Sequence, residues 1–105
     1  MDKWLNNLGL AKKAGKIVIS IKLEESIKTK KVALVIIASD AAKNSYKKWI
    51  DKCNFYKIEY LIKGTKKELA YSIGKEQVSA IGITDINLAK LISLKIKEGE
   101  NDGKE

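Results

Sequence analysis

Apolar residues recur along this chain with two alternating periods. Trp4, Leu5, Leu8 and Ala11 are spaced three and four apart, and Gly15 follows as a left-handed stop, so the pattern predicts an amphipathic helix over residues 2–14. The β-branched run Ile17-Val18-Ile19 reads as a short strand leading directly into a helix that carries Leu23 and Ile27, with Ser20 as its expected N-cap. Val32 to Ala38 is an unbroken apolar run, which fits a central strand buried on both faces. Ser39 or Asp40 is placed to cap the helix after it, where Tyr46, Trp49, Ile50 and Cys53 fall at i, i+3, i+4 and i+7. That spacing assigns the two aromatics to the core rather than to a base-stacking platform. Ile58 to Ile62 reads as another strand. Thr65-Lys66-Lys67-Glu68 is a capping-box pattern opening a helix with Leu69 and Ile73, which stops at Gly74. Val78 to Thr84 predicts a last strand, and Asp85 is placed to cap a final helix built on Leu88, Ala89, Leu91 and Ile92. Beyond Lys97 the periodicity vanishes, so residues 98–105 are expected to form a disordered acidic tail.

Helices and strands thus alternate with short connections, without a linker or internal repeat, which argues for one α/β domain over residues 1–97 layered around a single sheet. The 105 residues leave room for one hydrophobic core. The run from Val32 to Ala38 is far short of a bilayer span, and Met1-Asp2-Lys3-Trp4 lacks the layout of a secretory signal. A cytoplasmic protein with no membrane association is expected, and lone Cys53 agrees with that.

Charge changes the picture more than composition does. The net charge is +8, and every one of the 21 cations is lysine. Residues 1–75 hold 17 lysines against 7 acids, whereas residues 76–105 hold 4 against 6, so the basicity belongs to the first three quarters. Such a surface attracts phosphate through counterion release. A coding bias toward lysine on solvated helix faces is the competing explanation. Lys12, Lys13 and Lys16 crowd the end of the first helix, where they suit either the negative pole of the helix dipole or a phosphate. The junction Ser20-Ile21-Lys22 presents helix N–H groups that can serve an ordinary cap or receive a phosphate or base edge.

With one cysteine and no histidine, the chain cannot build a Cys/His zinc site, an internal disulfide, a Ser-His-Asp triad or a Cys-His pair. Gly15-Lys16 and Gly74-Lys75 lack the spacing of a phosphate loop. Asp40 and Asp85 each follow a predicted strand, where sites for sugar or nucleotide phosphates often lie, but both are accounted for as helix caps. No catalytic residue, metal or cofactor is therefore assigned, and the chain is expected to be no enzyme.

Five segments in order, LGLAKKAGK, VALVIIASDAAKN, DKC at Asp51 to Cys53, TKKELAYSIGK and AIGITD, resemble the kink-turn RNA-binding ribosomal-protein family. That family includes the large-subunit proteins L-seven-Ae and L-thirty-e, and the chain is most similar to their small bacterial relatives. The resemblance runs from about Leu8 to Lys90. It implies a three-layer α/β/α sandwich around one mixed sheet of about four strands. It also implies an RNA site at one end of the sheet, made by the start of the second helix and the loop before the last strand. Ribosomal or kink-turn-containing RNA and the ribosome are the implied partners, bound by a monomer. By position, the helix start falls on Ser20, Ile21 and Lys22, with Lys28 further along, and the loop falls on Lys75, Glu76, Gln77 and Val78. Lys16, Ser20, Lys22, Lys28, Lys75 and Gln77 are the expected RNA-binding residues.

The chain departs from the family at the helix start. Strong kink-turn binders have Gly-x-Asn-Glu there, whereas this chain reads Ser20-Ile21-Lys22-Leu23 and lacks the Asn and Glu that read guanine edges. Base-edge contacts carry specificity, while lysine contacts to phosphate supply affinity and position. An adaptor that kept the fold but recognises protein instead of RNA is the alternative.

Overall fold

Among the described residues every strand is followed by a helix, and the first four helices each hand the chain back to a strand. The structure is a computed structural model describing residues 2–102. Its elements, in order, are α1 (Lys3–Lys13), β1 (Ile17–Val18), α2 (Ser20–Lys28), β2 (Leu34–Ile37), α3 (Lys43–Tyr56), β3 (Tyr60–Ile62), α4 (Lys66–Ser72), β4 (Ala80–Ile83) and α5 (Ile86–Asp102). The strands form one mixed sheet in the order β1-β4-β2-β3. β4 is antiparallel to both neighbours, and β2 runs parallel to β3.

Alternation along the strands divides the core between the two sheet faces. Leu34, Ile36, Ala38, Ile81 and Ile83 pack with the apolar stripes of α1, α4 and α5. Val35, Ile37 and Ala80 pack with Leu23 and Ile27 of α2 and Trp49 and Cys53 of α3. This is the three-layer α/β/α sandwich that the resemblance implied. β2 is buried at all four positions because it is central and covered on both sides, which is why its sequence is an unbroken apolar run rather than an alternating one. Burial of each such Leu, Ile or Val contributes about 1.5–3 kcal/mol. Tyr46 and Ile50 lie half-buried beside Trp49 and Cys53, so the stripe on α3 is core.

β4 carries small residues on the side facing α2. At Gly82 a Cβ would lie 2.5 Å from Leu23 Cδ1 and 2.9 Å from a methyl of Val18 and of Val32, so only glycine lets the helix approach this closely. No helix among the described residues is long and apolar enough to cross a membrane.

Several expected caps are arranged differently. Ser20 is the first residue of α2 rather than its N-cap, because Ile19 holds the extended conformation and Ser20 itself takes φ +55°. Asp40 does not cap α3 but reaches across to α4, accepting a 2.8 Å hydrogen bond from the Lys66 N–H, while the Ser39 hydroxyl donates to the Gly64 carbonyl. The N-cap of α3 is Ala42, which makes no side-chain cap bond. The Thr65–Glu68 capping box forms as expected, and Asp85 Oδ1 accepts the Leu88 N–H.

The last helix continues to Asp102, five residues past the limit read from periodicity. A helix already nucleated gains one hydrogen bond per added residue and needs no buried stripe to extend, and Lys95 pairs with Glu98 one turn apart. Residues 103–105 of the expected tail lie outside the described residues.

Four helices end in the same way, with a left-handed residue followed by an N–H that reaches back five residues. Gly15 and Gly74 take this position after α1 and α4, followed by hydrogen bonds from Lys16 to Ala11 and from Lys75 to Ala70. After α2 and α3 the position is held by lysine instead, Lys30 at φ +56° and Lys57 at φ +58°. A non-glycine residue there costs roughly 1–2 kcal/mol.

Candidate nucleic-acid interface

The antiparallel register places Ile17 opposite Ile83 and Val18 opposite Gly82, so the chain leaving β1 emerges beside the start of β4. The ends of β2 and β3 lie at the same edge, since Ile37 is paired with both Ala80 and Ile62. Four segments therefore meet at one end of the sheet: the start of α2, residues 38–42, residues 63–65 and the loop 74–79. Their contacts are direct. The Ala38 N–H donates to the Ser79 carbonyl at 2.9 Å, the Ser39 N–H to the Gly64 carbonyl at 2.7 Å, and the Lys63 N–H to the Ile37 carbonyl at 3.0 Å.

The loop 74–79 is held at both ends and free between them. Gly74 and Lys75 close α4, and at the far side Ser79 Oγ accepts a 3.1 Å hydrogen bond from the buried indole of Trp49. Lys75, Glu76 and Gln77 between these anchors are exposed, whereas Val78 is buried in the core.

At the start of α2, Ser20, Ile21 and Lys22 are all exposed. Ile21 is 77% accessible because it falls off the Leu23–Ile27 stripe and has no apolar neighbour to meet. Neither α2 nor α3 has a side-chain cap, so two helix amino ends present their first N–H groups at this edge, with Lys22 and Lys43 beside them. Unsatisfied N–H groups and the positive pole of the helix dipole both favour an anion. The left-handed backbone at Ser20 adds strain at the same spot, a feature that concentrates at functional sites. Lys43 and the uncapped start of α3 escaped the sequence argument, because Asp40 offered itself as a cap.

Four of the six expected residues, Ser20, Lys22, Lys75 and Gln77, come to this edge. Lys16 and Lys28 do not. The Lys16 carbonyl accepts from the Thr84 N–H at the opposite end of the sheet, about 13 Å from Ser20 along an extended chain. Lys28 sits at the carboxyl end of α2, about 9 Å beyond Lys22 along the helix axis. Leu23, at the fourth position of the family's Gly-x-Asn-Glu pattern, is fully buried against Gly82.

α2 is tied to α3 by Glu24, whose carboxylate meets Lys48 at 2.8 Å and Lys52 at 3.9 Å. The hydrogen bond from Lys48 is the main reason its carboxyl lies below the usual range. Among the described residues no group of His, Cys, Asp and Glu is arranged to hold a metal ion.

Residues 2–93 match the Ribosomal protein L7Ae/L30e/S12e/Gadd45 family. The chain belongs to this family. Curated relatives include the RNA-binding protein YlxQ of Bacillus subtilis (strain 168), 40% identical over 94 residues that cover 88% of this chain and 94% of the relative. A protein of the same name from Enterococcus faecium is 34% identical over 90 residues, covering 85% and 86%. These names describe binding and no reaction, in agreement with a chain expected to be no enzyme. Among solved structures, a protein of unknown function from Bacillus halodurans C superposes with a TM-score of 0.86 at 32% identity, covering 92% of this chain and 99% of that one. The Giardia lamblia 15.5kD RNA binding protein superposes with a TM-score of 0.72 at 19% identity, covering 92% and 84%, and shares the fold. The family match includes both the start of α2 and the loop 74–79, so the edge described above lies wholly within the shared region.

Proposed function

We propose that this protein binds structured RNA, ribosomal or kink-turn-like, as a ribosome-associated cytoplasmic protein without catalysis. The observation that carries this reading is the convergence, at one end of the sheet, of the uncapped α2 start with the exposed loop 74–79 in a chain of this family. RNA phosphates meet the bare helix N–H groups, Lys22 and Lys75, while Gln77 is placed to reach a base edge. Burial of Leu23 leaves three of the four positions of the family's helix-start pattern at the surface, so shape and phosphate contacts dominate over base readout.

The test is a titration against a consensus kink-turn RNA and a matched duplex at two salt concentrations. Preference for the kink-turn of roughly tenfold or more, about 1.4 kcal/mol, is expected, and affinity should fall as salt rises. Lys22→Glu and Lys75→Glu should each weaken binding sharply with the fold intact; unchanged affinity in both would overturn this site. A protein partner is the second reading. It is favoured by the exposed Leu10 and Tyr71, which flank a groove of about 380 Å³ between α1 and α4. An association that survives nuclease and high salt would support that reading.

A further inference from the structure

The end of the sheet opposite the α2 start is also basic. Strand and helix directions bring the carboxyl ends of α1, α2 and α3 together there, because these helices lead into the starts of β1, β2 and β3, which share one direction antiparallel to β4. α1 contributes Lys12, Lys13 and Lys16. α2 and the turn after it contribute Lys28, Lys30 and Lys31, and α3 contributes Lys57. All seven are exposed, and none forms an ion pair among the described residues, in contrast to Lys47, Lys48, Lys52 and Lys95.

Helix dipoles do not account for this concentration. Three helix ends supply about half a negative charge each, and the nearby carboxylates are Glu25, Glu59 and Asp85, the last engaged in capping α5. Seven lysines exceed both together. Two of the seven, Lys30 and Lys57, also occupy left-handed positions where α1 and α4 use glycine, so the chain holds positive charge where the backbone favours a residue without one.

An aromatic ring completes the surface. Phe55, in the last turn of α3 beside Lys57, is 77% exposed and touches Tyr56 edge-to-face at 4.9 Å. Exposed lysines and an exposed aromatic ring at the same end of a sheet are the elements of a single-strand nucleic-acid site, in which phosphates meet the cations and a base stacks on the ring.

We infer that this pole is a second RNA-binding surface, for an unpaired strand, separate from the α2 start. It rests on the reading of the protein as RNA-binding but uses none of the residues at that edge. The two poles are about 17 Å apart, the extended span from Ser79 through β4 to Thr84, so one protein can hold a structured element at one end and a flanking single strand at the other. Lys16 and Lys28, which the fold separates from Ser20 and Lys22, act here.

The experiment uses the full chain carrying Lys22→Glu and Lys75→Glu as its parent and a fluorescent 12-nucleotide oligouridylate as its probe. The parent should bind with salt-sensitive, micromolar affinity. Adding Lys30→Gly and Lys57→Gly should weaken binding at least fivefold while the melting temperature holds or rises, since both glycines relieve a left-handed lysine. Adding Phe55→Ala should also weaken it at least fivefold, and Lys67→Gln with Lys97→Gln, which removes equal charge elsewhere, should leave it unchanged. The inference is overturned if the parent does not bind, if the glycine pair or the alanine variant binds as the parent does, or if the charge control weakens binding equally. Retention of the parent by phosphatidylserine vesicles without oligonucleotide binding would assign the surface to a membrane and overturn it too. Failure at the other pole shows separately, as unchanged kink-turn RNA affinity in the parent.

Discussion

Gly82→Ala adds one methyl group to the middle of β4 and tests whether the close approach of α2 to the sheet governs both stability and RNA binding. The added carbon would lie 2.5 Å from Leu23 Cδ1 and 2.9 Å from methyls of Val18 and Val32. Carbon atoms pack at about 3.5–4.0 Å, so Leu23 must move by roughly 1 Å and the methyls of Val18 and Val32 by about half that. Overpacking of this kind costs typically 1–3 kcal/mol. For a domain of this size each kcal/mol lowers the melting temperature by about 4–8 °C, so a loss near 2 kcal/mol corresponds to roughly 8–16 °C. Lys22 precedes Leu23, and any shift of α2 displaces the start of the helix, so RNA affinity should fall more than unfolding alone explains. Leu23→Ala separates the causes. Alone it should destabilise by about 2–5 kcal/mol, but combined with Gly82→Ala the losses should be less than additive by about 1 kcal/mol or more, because the new methyl occupies vacated space. Urea unfolding followed by circular dichroism measures all four proteins. A Gly82→Ala variant as stable as the parent, or strictly additive losses in the double variant, would refute the argument.

Two further outcomes follow from particular groups. Burial pushes the Cys53 thiol up from near 9 to about 11, so the neutral thiol contributes stability in full below pH 9 and loses it as pH rises toward 11; the urea midpoint of the parent should fall more steeply than that of Cys53→Ala between pH 8.5 and 10.5, and equal slopes would contradict the burial. Thr65→Ala removes the acceptor for the Glu68 N–H and should lower stability by about 1 kcal/mol, with the cost shrinking in a Glu68→Ala background because the two halves of the capping box act together; thermal melts of the four variants decide it.

Periodicity alone determined most of the architecture. Trp4, Leu5, Leu8 and Ala11 mark a helix, and Val32 to Ala38 marks a doubly covered strand, because burial is a local requirement written into each residue's polarity. The Thr65–Glu68 box and Asp85 are legible for the same reason: their partners lie three residues away. Asp40 is not, since its partner Lys66 is brought to it only by the parallel pairing of β2 with β3. The same pairing set decides the functional surfaces. Ser20, Lys22, Lys75 and Gln77 are scattered in sequence, and only the antiparallel placement of β1 and β4 brings them to one edge. That placement also sends Lys16 and Lys28 to the opposite pole, beside Lys30, Lys57 and Phe55. Charge and the left-handed conformation of a lysine have no periodic signature, so which cations share a surface emerged from tertiary structure, where strand order and helix direction set the distances over which electrostatics acts.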